Sequence, residues 1–448
     1  MATDLATLAH QTLDAAKRAG AEAADALVTE GDAIAMEIRA GKLETAERSE
    51  GVEIGLRVLI GRRQATVAIS DSRAPAIDAM AERAVAMAQA APKDPDQGLA
   101  DPELLATTRN ADGLNLLDTA PPPSPEALAD AARAAEAAAL GIEGISQVSE
   151  VGAQTSLSHF HLAASNGFDG AYARSGHQLY CVAITGEGTS MERDYAAEGR
   201  THHADLPAAE EIGRLAAERA LARRGAIQPK TGAFPVLFDE RVASGLIGHL
   251  LSAINGVSVA RGTSWLKDAM GEMVLPAELS IETDPLTPGL SGTRPFDAEG
   301  LPAGKRALVE DGKLVSWVLD LASARKLGVR PTGDATRGPG SAPRPSLGNI
   351  VMTEGPQDRA TLASEMGEGL LVTSLMGASI NPNTGDYSRG ASGFWVRNGE
   401  IAEAVNECTI AGNLRGMLAS ITPANDARHH LSRRIPSLRV EGLTVAGQ

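Results

Sequence analysis

The chain is short of four things, and each shortage excludes something. Two cysteines, Cys181 and Cys408, occur in 448 residues. No CxxC or Cys/His group surrounds either one, so a zinc ribbon or a disulfide framework is not supported. A buried small apolar side chain is the ordinary reading of each. Aromatic residues make up 3%, which leaves the core to Ala, Val, Leu and Ile. Positive charge is in deficit: 41 Lys and Arg stand against 57 Asp and Glu, a formal net charge of −16. Such a surface repels phosphate backbones and anionic lipid, so no nucleic acid and no membrane is an expected partner. Solubility alone is a sufficient reason for the acidity. Long apolar runs are missing too: the opening Met-Ala-Thr-Asp-Leu-Ala lacks a basic and then apolar leader, no segment is long enough to span a bilayer, and a cytoplasmic location is expected.

The familiar catalytic signatures are also missing. There is no HExxH or HExxxH, no GxSxG elbow, no Walker A loop and no strand–GxGxxG–helix unit. His202-His203 and His429-His430 are adjacent pairs, whose side chains diverge on a helix or strand, so neither pair is expected to chelate one ion.

What is present is a soluble, globular composition, 43% hydrophobic and 22% charged, long enough for two cores and carrying 47 glycines for turns and hairpins. Leu5, Leu8, Ala9, Leu13 and Ala16 predict a helix over 3–20. Alternation then predicts strands around 34–38, 52–58 and 65–69, with turns at 40–42 and 61, and a helix over 74–91. A Pro- and Asp-rich excursion over 92–124 ends at Ser124, which is placed to cap a helix at 125–140 with Pro125 at its first position. Strands over 147–164 and 171–186 and a helix over 207–223 complete the first half. Gln228–Gly232 is the expected junction. Beyond it the spacing predicts a strand at 234–238, a helix at 239–255 with Val242, Leu246, Leu250 and Ile254 facing inward, then short apolar segments punctuated by Gly, Pro, Asn and Asp, with helices near 357–366 and 411–419. The expected architecture is α+β: an N-terminal α/β domain over 1–227, with antiparallel strands flanked by helices, and a β-rich domain over 228–448.

Two places draw functional interest on residue type alone. His249 borders the apolar stripe of the 239–255 helix, where a lone histidine is ordinarily a satisfied core or interface residue. Met376–Gly390 is a Gly-rich polar stretch, read as a loop between strands, in which Asn381, Asn383, Asp386, Tyr387, Ser388 and Arg389 supply donors and acceptors. Pro382 stiffens it, and Asp386 and Arg389 are near enough in sequence to pair with each other.

Several long motifs, in order, resemble one family. They are Glu50-Gly-Val-Glu-Ile-Gly-Leu-Arg57, Ser165-Asn-Gly-Phe168, Glu192-Arg-Asp-Tyr195, Pro295-Phe-Asp-Ala-Glu-Gly300, Ser323-Ala-Arg-Lys-Leu-Gly328, Ser379–Gly390 and Ser437–Gly447. Over nearly its whole length the sequence is similar to the PmbA/TldE branch of the TldD/PmbA family, also labelled a modulator of DNA gyrase. The resemblance implies a heterodimer of homologous subunits that cleaves peptides and unfolded chains with zinc. One subunit, TldD, carries HExxxH and this branch does not. Aligned on Gly245-Leu246-Ile247-Gly248, the motif falls on Asp239, Glu240 and Ser244. Serine is a poor zinc ligand, and the partner's third ligand, a Cys near the C-terminus, has no counterpart in 409–448. The resemblance therefore singles out no catalytic residue and implies no metal or other cofactor in this chain, zinc in a TldD-type HExxxH partner and a peptide substrate; the residues themselves predict a substrate or interface role for His249, Asn381, Asn383, Asp386, Tyr387, Ser388 and Arg389. A homodimer is the expected state of the isolated chain if it self-associates. Two other readings stand beside it: an autonomous metallopeptidase with unconventional ligands from Asp239, His249 or Cys408, and a non-enzymatic gyrase-modulating binding protein.

Overall fold

The computed structural model describes residues 4–447. Asp4 accepts a hydrogen bond from the Thr7 N–H and starts α1 (Leu5–Ala19), which Gly20 ends in the left-handed region at φ +101°. Then come β1 (Ala23–Arg39), β2 (Lys42–Ile60), β3 (Arg63–Ile69) and α2 (Ala74–Ala90). After the 92–124 excursion follow α3 (Pro125–Leu140), β4 (Ile145–Ala164), β5 (Asp169–Thr185), β6 (Glu192–Arg200) and α4 (Ala209–Ala222). Ser124 caps α3 by accepting from the Ala127 N–H at 3.2 Å, with Pro125 at the helix start, as the sequence predicts. The strands form one antiparallel sheet in the order β3-β2-β1-β4-β5-β6.

These strands are much longer than the alternation suggested. β1, β2 and β4 run 17, 19 and 20 residues, because nothing in their polar middles breaks pairing; Gly31 simply faces Gly51 across the ladder. One face of the sheet carries all four helices. α1 and α2 pack on Ala24, Ala26, Val28, Ile54, Leu56 and Val58, while α3 and α4 pack on Met36, Ile38, Val151, Leu179 and Cys181 further along the same strands. The other face presents Leu27, Leu162 and Phe168, which meet Phe296 from the second half. β6 was not anticipated. Its inward residues are Asp194 and Ala196, so a charged side chain interrupts the apolar alternation that marks a strand.

The second half opens with β7 (Gly232–Phe238), α5 (Glu240–Ala253) and α6 (Gly256–Ala260). A smaller layer follows: β8 (Ile281–Thr283), β9 (Arg306–Glu310), β10 (Lys313–Leu314), α7 (Leu321–Leu327), β11 (Ala335–Thr336), β12 (Arg344–Pro345), β13 (Ile350–Met352) and α8 (Arg359–Met366). The chain ends in β14 (Glu368–Ile380), β15 (Asp386–Arg397), β16 (Glu400–Asn413), α9 (Leu414–Ala419), β17 (Thr422–Pro423), β18 (Arg433–Arg434) and β19 (Leu438–Ala446). The large sheet runs β16-β15-β14-β7-β19, and β19 pairs back onto β16, closing a barrel. α5 sets Ala243, Leu246, Ile247 and Leu250 into the core with Val236, Phe238 and Val372. The sequence reading missed β16 because register shifts in its pairing with β15 place Ala404, Val405, Cys408 and Ile410 all inside, which breaks a strict period of two. The fold is thus α+β, with helices on an antiparallel sheet followed by a β-rich barrel domain. Among the described residues no helix is long and apolar enough to cross a membrane.

Candidate functional site

β7 delivers the chain straight into α5, so residue 239 becomes the helix N-cap. The Asp239 side chain accepts from the Arg241 N–H at 3.1 Å and pairs with Arg241 Nε at 3.2 Å. Its other oxygen pairs with Arg359 from the start of α8. Arg241 also bonds Asp194 of β6 at 3.0 Å, and Asp194 meets Arg223, just past α4, at 3.3 Å. Arg223 donates onward to Ser392 Oγ of β15 at 2.5 Å. Glu240 accepts from Arg428 Nε at 2.9 Å, and Arg428 reaches Glu198 of β6 at 3.2 Å. Glu198 is shared with Arg200 at 2.7 Å and lies 3.2 Å from His430 Nε2. The result is an alternating chain of cations and anions that stitches β6 and α4 to α5, α8 and β15.

Burial pushes the Glu240 carboxyl above its usual range, against the pull of Arg428. Glu198 goes the other way: burial raises it, but the hydrogen bond and charge of Arg200 and the charge of Arg428 hold it below the ordinary carboxylate value. Neither Asp239 nor Glu240 offers a free oxygen array to a divalent cation, since guanidinium groups already occupy the space a metal would take. Ser244, half-buried one turn further along α5, adds a neutral hydroxyl. This donor set does not fit zinc.

His249 lies two turns further along the same helix, half-buried in a groove of about 430 Å³ with Gly245, Gly248 and Arg433. Its ring stands edge-on to Tyr387 of β15, 5.7 Å between centroids. His249 Nε2 and the Tyr387 hydroxyl are both buried without a hydrogen-bond partner among the described residues. Burial, then the charge of Arg389, hold the imidazole below its usual range, and burial pushes the Tyr387 phenol up to about 12. The structure therefore brings His249, Tyr387 and Arg389 together, while Asp239 and Glu240 belong to the ion network.

The Met376–Gly390 stretch is mostly strand: only residues 381–385 connect β14 to β15. Asn381 Oδ1 accepts from the Asn383 N–H at 3.0 Å and the Thr384 N–H at 3.4 Å. Asp386 does not pair with Arg389. It accepts from Thr384 Oγ1 at 2.6 Å and from Asn413 Nδ2 at 3.0 Å, while Arg389 Nε donates to the Gly377 carbonyl at 2.7 Å. Asn381, Asp386, Tyr387 and Ser388 line a shallow pocket at this tip, and Asn383 is exposed. β14 pairs with β7 only over Leu370–Val372, where the Val372 carbonyl also accepts from the Asp239 N–H at 3.0 Å. From Ser374 to Ile380 the same edge of β14 has no strand partner among the described residues.

A larger polar groove, about 630 Å³, lies between the first sheet and the second half, lined by Arg174, His177, Arg200, Thr201, Leu290 and His430 among others. Arg200 and His430 connect it to the Glu198–Arg428–Glu240 chain. Sequence reasoning missed the arginines of this network. Of its anions, Asp239 and Glu240 were marked by the motif alignment, and Asp194 lies inside the Glu192–Tyr195 motif. Cys181 and Cys408 are both buried and free, with thiols pushed up by burial to about 12 and about 11.

Comparison with known proteins gives one family throughout. The PmbA/TldA metallopeptidase domain 1 matches residues 24–88, the central domain 118–224 and the C-terminal domain 231–447. The chain is 36% identical to Metalloprotease PmbA of Escherichia coli O157:H7, over 97% of this chain and 94% of that one. It is 33% identical to a Metalloprotease PmbA homolog of Haemophilus influenzae, again over 97% and 94%. Among solved structures, TldE from Thermococcus kodakarensis superposes with a TM-score of 0.83 at 19% identity, covering 98% of this chain and 99% of that one, which shows a shared fold.

Proposed function

The chain belongs to the PmbA/TldD metallopeptidase family, and from that premise we propose that it is the subunit of a TldD/TldE-type peptidase heterodimer that shapes the peptide cleft without holding the catalytic zinc. The observation that carries this reading is the state of Asp239 and Glu240. At the positions aligned with the partner's zinc motif, both carboxylates are held by Arg241, Arg359 and Arg428. A base with no metal-polarised water beside it has little to act on. The zinc belongs to a TldD-type HExxxH partner.

The substrate side of the reading rests on the unpaired edge of β14. It begins at Ser374, just past the Val372 carbonyl that accepts from the Asp239 N–H, and runs to the 381–385 turn. An extended peptide added there would gain main-chain hydrogen bonds whatever its side chains, which suits unfolded or short substrates. His249, Tyr387, Ser388, Arg389 and Asn381 lie nearby to hold its ends or to meet the partner subunit. The proposed organisation is one domain up to residue 227 and a second from 228, and the proposed location is the cytoplasm.

The test is co-expression with the HExxxH homologue from the same genome, followed by a peptide-cleavage assay on each chain alone and on the mixture. Cleavage by the mixture only is the expected result. Full activity in the HExxxH homologue alone would overturn the reading. A second arm uses an Asn383→Ala plus Arg389→Ala variant in the complex. Impaired cleavage or association with an unchanged melting temperature supports the cleft assignment, and wild-type behaviour reduces the hairpin tip to a connection.

A further inference from the structure

His10, His161 and Asp169 are far apart in sequence and sit on three different elements. His161 is on β4, opposite Val28 and two residues before Ala163, so it points to the helix-covered face of the first sheet. Asp169 opens β5 and is paired with Ala163, which puts it diagonally across from His161 on that same face. His10 reaches them from α1, directly after the buried Leu8 and Ala9. Their ligand atoms all lie within 4.8 Å of one another. His10 Nε2 is 2.7 Å from one Asp169 oxygen, and His161 Nε2 is 3.2 Å from the other.

The His161 side chain is 8% exposed, and its Nε2 faces Asp169 Oδ1 at 3.2 Å without making a well-aligned hydrogen bond among the described residues. A buried ring nitrogen left that way is costly, and native structures rarely tolerate it without a reason. From this geometry we infer a binding site for a first-row divalent transition cation, Zn(II) as its reference ion, made by His10 Nε2, His161 Nε2 and one Asp169 oxygen.

Two imidazoles and a carboxylate form a recognised zinc donor set that leaves a fourth position for water. Tetrahedral zinc with ligands near 2.0–2.1 Å needs donors roughly 3.3 Å apart. The His161 Nε2–Asp169 Oδ1 distance of 3.2 Å is close to that, whereas His10 Nε2 is 2.7 Å from the other oxygen, Oδ2, and all the ligand atoms lie within 4.8 Å of one another, so His10 and the carboxylate must turn to share one ion. That movement is open to His10, because its side chain is 58% exposed at the helix surface. The site is separate from the α5 region and does not depend on the peptidase reading. A bound ion would staple α1 to the β4–β5 hairpin and satisfy the orphaned His161 nitrogen. The linear sequence hid it: no two of the three ligands share a motif spacing.

The experiment is titration of the metal-free full chain with Zn(II) by calorimetry, and with Co(II) followed by its visible d–d bands. His10→Ala and Asp169→Asn are the diagnostic variants, because both side chains are substantially exposed and their loss leaves the core intact. His161→Gln is a third variant, checked by circular dichroism for folding. The wild type is expected to bind one equivalent, show four-coordinate cobalt bands, and melt higher with zinc. His10→Ala and Asp169→Asn are each expected to bind at least about 100-fold more weakly and to lose the zinc-dependent rise in melting temperature. Wild type that shows no saturable one-equivalent binding would overturn the inference and leave a metal-free cluster of Asp169 between two imidazoles. Binding unchanged in both variants would equally overturn it, by placing the ion elsewhere.

Discussion

Replacing Arg241 by methionine removes one cation that two buried carboxylates share. Arg241 is 9% exposed, Asp194 6% and Asp239 3%, with contacts at 3.0 and 3.2 Å. Methionine keeps most of the side-chain volume, so the change is chiefly electrostatic. Each charge-assisted hydrogen bond is worth about 1.5–3 kcal/mol, and removing one partner of a buried ion pair typically costs about 3–5 kcal/mol. Arg223 and Arg359 remain to neutralise one carboxylate each, which keeps the expected loss at about 3–5 kcal/mol, not twice that. Equilibrium urea melts supply the measurement. Far-UV circular dichroism follows both halves, whereas fluorescence follows Trp265, Trp317 and Trp395, all of which lie beyond residue 232. The contact crosses between the halves, so both probes are expected to shift to lower urea together. A double-mutant cycle adds rigour. Asp194→Asn combined with Arg241→Met is expected to cost about 2 kcal/mol less than the sum of the two single changes, because they break the same contact. A single-mutant loss below about 1 kcal/mol, or additivity within about 0.5 kcal/mol, would refute the claim that this network couples the halves.

Three further expectations follow from the same geometry. The folded state holds Glu198 below its unfolded value, so its contribution to stability is present above about pH 4.3 and disappears as pH falls through the folded value; Glu198→Gln should be less stable than wild type at pH 7 and converge with it on acidification, and a constant gap across pH would contradict this. Gly55→Ala would set a Cβ 2.1 Å from the Pro339 carbonyl oxygen, backbone that cannot swing aside, so a loss of several kcal/mol is expected in the same urea melts, on the order of an overpacked core. Ser124→Ala removes the α3 cap and is expected to cost about 1 kcal/mol, read as a small drop in melting temperature with no change in the complex's activity.

Local chemistry was the readable part of this fold. Gly20, Ala40-Gly41, Gly61 and Ser124-Pro125 announce their turns and caps because a backbone conformation or a missing N–H dictates the residue type. β6 and β16 were not readable for opposite reasons: Asp194 is buried because Arg223 and Arg241 come to it from elsewhere, and the pairing irregularities of β16 exist only against β15. At the candidate site, Asp239 and Ser244 could be set against the missing zinc motif from sequence. That Arg359 and Arg428 would lie on those carboxylates could not, since they stand 120 and 188 positions away from their partners. His249 was visible as a residue of interest, but its unpaired nitrogen depends on where Tyr387 packs.

The face of the first sheet turned away from its helices has a consequence for synthesis. Asp25 and Arg57, paired across β1 and β2 at 2.5 Å, are completed by Arg337, and Phe168 finds Phe296. When the last residue of β6 has been added, Arg337 is still about 140 residues from being made, which at 5–20 residues per second is roughly 7–28 s. For that interval the nascent sheet lacks Phe296 on its apolar strip and carries an incomplete ion cluster. A fragment ending near residue 227 would lack both partners permanently and is expected to aggregate more readily than the full chain.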